Sequence, residues 1–150
     1  MLDGSLQSNR IFFNIGYVTN FHKFVCDQFD QFMKEVVINS RLSPKNKISM
    51  LDEKLVLVDE YRSRYSGTIR FLSKRIEDFK TQLDPCNDYS PDLVNALSDT
   101  EAKRLSYLIR IYTYRIKVID ACITILNNVR AKLTVIRRVL CLGKQDHKST

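Results

Sequence analysis

Tryptophan is absent from this chain, and glycine and proline together supply only seven of its 150 residues. With 44% of residues hydrophobic, that scarcity argues against a disordered chain. The three prolines, Pro44, Pro85 and Pro91, bunch the expected turns. No stretch reaches the roughly 20 apolar residues of a membrane-spanning helix. The best uncharged run, Ile11 to His22, is about half that. No basic segment leading into an apolar core opens the sequence and no Asn-x-Ser/Thr triplet occurs, so a secreted four-helix cytokine is disfavoured. Cys26, Cys86, Cys122 and Cys141 include no CxxC and have no histidines at zinc spacing. Reduced thiols are therefore expected, in the cytoplasm or the nucleus.

Catalytic signatures are missing too. The two histidines are His22 and His147, and no HExxH, GxSxG, P-loop or dinucleotide fingerprint appears. Asp59/Glu60 and Glu77/Asp78 are adjacent pairs. Neighbours on a helix point about 100° apart, so they do not converge as an acid/base pair must, and solvated surface is the expected role. Cys122 has no histidine near it and reads as core. A non-enzyme is expected, with no catalytic residue, no metal, no cofactor and no small-molecule substrate.

What the chain does have is periodicity. Steps of three and four run through Ile48, Leu51, Leu55, Val58, Arg62, Tyr65, Ile69, Leu72, Ile76, Phe79 and Leu83. A second register runs through Leu105, Leu108, Tyr112, Arg115, Ile119, Cys122, Leu126, Val129, Leu133, Ile136 and Leu140. In each, only one position is not apolar. A repeat averaging 3.5 residues is the signature of coiled-coil packing, because it keeps one seam facing a neighbour. A shorter register precedes them: Ile15, Val18, His22, Val25, Phe29, Phe32 and Val36. The expected fold is all-α, with antiparallel helices over about 11–38, 44–83 and 99–142 forming one domain (1–142), then a polar tail (143–150). A two-helix hairpin, with helix one docked on another chain, is the alternative.

The punctuation suits these bounds. Ser43-Pro44 and Ser90-Pro91 pair a capping hydroxyl with a first-turn proline, and Pro91 to Leu97 allows one helical turn. Ser98-Asp99-Thr100-Glu101 reads as a capping box. Asp84-Pro85 ends helix two, and Gly143 suits a C-terminal cap of helix three.

Three polar residues interrupt the seams: His22, Arg62 and Arg115. With Val36 opposite Ile48, His22 and Arg62 would share a layer. Such a layer either fixes register through a buried polar contact or lets both side chains snorkel outward. Helices one and three are also apolar beyond their seams, at Phe21, Phe24, Ile109, Ile111, Ile116, Val118, Ile123 and Ile125. A helix apolar on more than one side touches more than one neighbour, so these residues are the candidate partner-binding positions.

The net charge of +7 is uneven. Residues 1–100 hold 13 Lys/Arg against 14 Asp/Glu, and residues 101–150 hold 11 against 3. Two clusters, Lys103, Arg104, Arg110 and Lys117, then Arg130, Lys132, Arg137 and Arg138, could face an anionic partner: nucleic acid, an acidic protein or lipid. Tyr107 and Tyr114 are interleaved with the first. The stretch from Val118 to Val129, with no cation and with Asp120, breaks any continuous phosphate-tracking stripe. Arg137 and Arg138 also complement a helix C-terminus.

The run Lys74-Arg75-Ile76-Glu77-Asp78-Phe79-Lys80-Thr81-Gln82-Leu83-Asp84-Pro85 resembles the helix ending and break in the small helical subunit of the dynactin shoulder. In both, a further long helix follows, here near Ser98. The chain is also similar in general form to small subunits of complexes that position lysosomes and build lysosome-related organelles. The likeness covers about a dozen residues and the helix order; helix one is longer and more aromatic here, and the chain stops soon after helix three. It implies a structural subunit that co-folds with larger coiled-coil partners and has no active site. The expected function is thus a non-catalytic scaffold or adaptor that joins helical subunits, as a hetero-oligomer or a homodimer, in microtubule-motor or organelle transport. The alternative is a basic nucleic-acid- or acidic-surface-binding protein acting through helix three.

Overall fold

Three helices and the turn at 38–43 account for the described residues of the computed structural model, 15–83 and 99–149, with side chains described for 16–83 and 99–143. Helix α1 spans Ile15–Phe32 and continues as a π-helical turn over Met33–Val37; α2 spans Pro44–Leu83 and α3 Asp99–Ser149. No strand occurs among the described residues. Ile11 to Asn14, Asp84-Pro85, Ser90-Pro91, the turn expected at Pro91 to Leu97, and Ser98 lie outside them. Helix α3 is longer than expected: it runs straight through Gly143, which has no positive φ. Left-handed backbone is what makes a glycine cap; without it, residues 143–149 continue the helix.

Side chains close the end of α1 and the start of α2. Ser43 Oγ accepts the Asn46 amide at 3.2 Å, the N-cap bond expected before Pro44. At the carboxyl end of α1, the Ile38 amide reaches back five residues to the Met33 carbonyl at 3.0 Å, which makes the turn π rather than α. The carbonyls freed there find donors: Asn39 Nδ2 bonds Glu35 O at 3.1 Å, and Lys47 Nζ bonds Val37 O at 2.7 Å. Asn39 Oδ1 accepts the Arg41 amide, forming an Asx turn that carries the chain into α2 without a glycine.

Packing divides into two units along the helices. Among the described residues, one joins 15–17 with 66–83 and 99–120; the other joins 18–65 with 121–149. In the first, Leu72, Ile76, Phe79, Leu105 and Ile119 are buried, all on the expected seams. Phe79 of α2 stacks on Tyr112 of α3, ring centroids 5.6 Å apart.

In the second unit all three helices meet. Phe32, Val36, Leu51 and Leu133 form its central cluster, with Phe29, Leu55, Val58, Val129, Ile136 and Leu140 packed around it. Antiparallel pairing is visible in the contacts: a step from Asp59 back to Asp52 on α2 goes with a step from Arg130 forward to Arg137 on α3. Helix α1 also runs against α2, with Phe21 edge-on to Tyr65 at 5.9 Å and Phe32 under Lys54 at 5.9 Å.

Candidate interaction surfaces

In α1 the expected register is buried at Val25, Phe32 and Val36, but in its first half Tyr17 and Phe21 are buried in place of Val18 and His22. Steps of four place the larger aromatics inside, where they bury the most area. His22 is exposed, with its Nε2 3.6 Å from Cys26 Sγ on the same helix. The layer expected for His22 and Arg62 is therefore replaced by Phe21 against Tyr65. Arg62 is half-buried: its Nη1 bonds Asp59 at 2.9 Å, while its Nε is buried without a hydrogen-bond partner. The Arg115 guanidinium lies over the Tyr112 ring, 5.2 Å from its centroid.

The candidate partner-binding residues scatter over these environments. Phe21 and Val118 are interior, so neither is open to another chain. Ile109, Ile111, Ile116, Ile123 and Ile125 are half-buried, and Phe24 alone of the set is exposed. The most exposed large apolar side chains are others: Ile38, Val56, Phe71, Tyr107, Val135, Val139 and Leu142. They fall outside the main seams, which is why a search for unbroken registers passes over them. Ile38 sits in the turn after α1, and Val135, Val139 and Leu142 follow four and three apart on the far side of α3.

The cations of α3 are used in two ways. In the first cluster Lys103, Arg104, Arg110 and Lys117 are all exposed, and Arg104 is tied to Glu101 at 3.0 Å. That pair holds the Glu101 carboxyl below and the Arg104 guanidinium above their ordinary pKa ranges. In the second cluster Arg130 donates from Nε to Asp59 Oδ1 at 2.8 Å, and Arg137 donates from Nε to Asp52 Oδ1 at 2.7 Å. The same Asp59 oxygen also accepts from Arg62. Hydrogen bonding from Arg130, with Arg62 adding to it, pulls the Asp59 carboxyl below its ordinary 3.8. So Asp59 is an interhelical acceptor, not simply solvated surface like its neighbour Glu60. Lys132 lies over the Phe29 ring at 5.4 Å, and Arg138 is exposed.

An open groove of about 240 Å³ runs between the end of α1 and the start of α2, with Phe32 and Val36 at its floor and Gln31, Glu35, Met50 and Glu53 at its rim. Glu35 accepts from Gln31 Nε2 at 3.0 Å. No serine, threonine, cysteine or histidine lines it, and no group of three or more His, Cys, Asp or Glu side chains among the described residues could hold a metal. Cys26, Cys122 and Cys141 are free thiols. Cys122 is fully buried, and burial pushes its thiol up to about 11, the opposite of an activated cysteine. No described helix is long and apolar enough to cross a membrane. No protein-family model, no curated protein and no solved structure matches the chain.

Proposed function

We propose that this protein is a non-catalytic helical scaffold or adaptor subunit that assembles with other helical chains. One observation carries the reading. After the seams have closed the core, large apolar side chains still stand exposed on α2 and α3, among them Val56, Phe71, Val135 and Val139, each more than half exposed. Exposed apolar positions recurring along helices mark surfaces that other chains cover. The likeness of Lys74–Pro85 to the dynactin shoulder subunit points to microtubule-based or organelle transport, in the cytoplasm, as the setting.

The competing use of α3, as a basic nucleic-acid binder, is weakened by geometry. Two of the four cations in its second cluster are held by α2 aspartates, which leaves fewer for phosphate. Purification from the cells that make the protein, at about 0.5 M salt, where charges are screened beyond roughly 4 Å, separates the two readings. The scaffold reading expects helical subunits retained in fixed stoichiometry. A monomeric chain with nothing retained, together with salt-sensitive nucleic-acid binding lost on Arg110→Glu, would refute it.

A further inference from the structure

We propose that the outer face of α3 at Val135, Val139 and Leu142 is a docking strip for an acid-edged amphipathic helix of a partner protein. This rests on the scaffold reading and names the chemistry of one partner. The three side chains are 55%, 61% and 54% exposed. They follow one another by four and then three residues, the spacing of a coiled-coil seam. At about 100° per residue they lie on the side of α3 turned away from buried Leu133, so the strip is a second seam, distinct from the one that builds the core.

Charge selects the occupant. From Ala121 to Gly143 the chain has no acidic residue and four cations. Arg130 and Arg137 are turned toward α2 by Asp59 and Asp52. Of the remaining two, both exposed, Lys132 edges the strip on the side of α1, with its Nζ over the Phe29 ring, and Arg138 stands at the opposite edge. Edge positions of a helix pair choose partners by charge, so a helix bearing Glu or Asp at its edges fits. A second copy of this strip does not, because it would set Arg138 and Lys132 against their own kind. A membrane surface is a poorer match as well: the apolar arc is one seam wide and contains no aromatic residue, whereas interfacial helices present a broad face with Trp, Phe or Leu.

Two synthetic helices of about three heptads test this, with identical Ile/Leu seams and either Glu or Lys at all edge positions, each monomeric alone through self-repulsion. The full-length chain should bind the Glu-edged peptide at least about ten-fold more tightly than the Lys-edged one. Val139→Glu should abolish that binding with thermal stability unchanged, since the position is exposed, and Arg138→Glu should shrink the preference. Equal affinity for the two peptides, no binding to either, or undiminished binding by Val139→Glu would overturn the proposal. So would a Val139-dependent dimer of this chain, or Val139-dependent adhesion to phosphatidylserine vesicles without peptide discrimination. In cells, a Val139→Glu chain that keeps all its subunits refutes the strip and leaves the scaffold reading standing. A wild-type chain with no subunits sinks both.

Discussion

Leu51→Ala is the substitution whose cost the structure defines most closely. Leu51 is wholly buried and packs with Phe32 and Val36 from α1 and Leu133 from α3. Truncation removes three carbons, worth roughly 2.4 kcal/mol at about 0.8 kcal/mol per buried methylene. Residues from three helices line the site, so it collapses only in part; a remnant of about 40 Å³ at about 24 cal/mol per Å³ adds ~1 kcal/mol. The expected loss is about 3.4 kcal/mol, or roughly a 10 °C fall in Tm for a chain of this size. Urea titration followed by far-ultraviolet circular dichroism measures it, with Val135→Ala as the surface control, expected to stay within about 0.5 kcal/mol of wild type. If Leu51→Ala unfolded at the wild-type urea concentration, or the control lost as much, the packing described for this unit would be wrong.

Two further outcomes concern ionisable groups. Asp59 has its pKa lowered by Arg130, so its contribution is complete above the ordinary carboxylate value of 3.8 and fades as the pH falls through its own lower value. The pair is half-exposed and screened, so Asp59→Asn should cost no more than about 1 kcal/mol at pH 7, and in strong acid its urea midpoint should merge with that of wild type; a difference that persisted there would contradict the assignment. Cys122, with its thiol near 11, should react with a maleimide at pH 8 at least about a hundred-fold more slowly than a thiol of ordinary pKa, and speed up when urea unfolds the chain. Equal native labelling of Cys122 and the half-buried Cys26 and Cys141 would count against a closed core.

The long seams of α2 and α3 were legible because apolar residues repeat over many turns with one polar break in each: Leu72, Ile76 and Phe79, or Ile119, Cys122, Leu126 and Leu133, are buried where the spacing puts them. Helix α1 was harder. Val18 and His22 fit an alternating three-four step, but Tyr17 and Phe21 fit steps of four and are larger, and size decided which face turned inward. Periodicity also could not anticipate Arg130 and Arg137 as interhelical donors, since that depends on how two distant stretches align. Gly143 misled for the opposite reason: a glycine ends a helix only where the backbone turns left-handed, and nothing local shows whether it will. The exposed strip at Val135, Val139 and Leu142 was hidden by the stronger seam beside it.

The two arginine–aspartate contacts between α2 and α3 are one heptad apart on each helix. They therefore act like a vernier without a stop. Sliding α3 by seven residues would set Arg137 against Asp59 and so keep one of the two contacts. The ionic contacts fix which edges of the two rods meet, but they discriminate weakly between one translational setting and the next. That choice falls to the unequal sizes of the side chains stacked inside, from the thiol of Cys122 to the ring of Tyr65. Evening out those sizes is thus the change that would free the rods to creep.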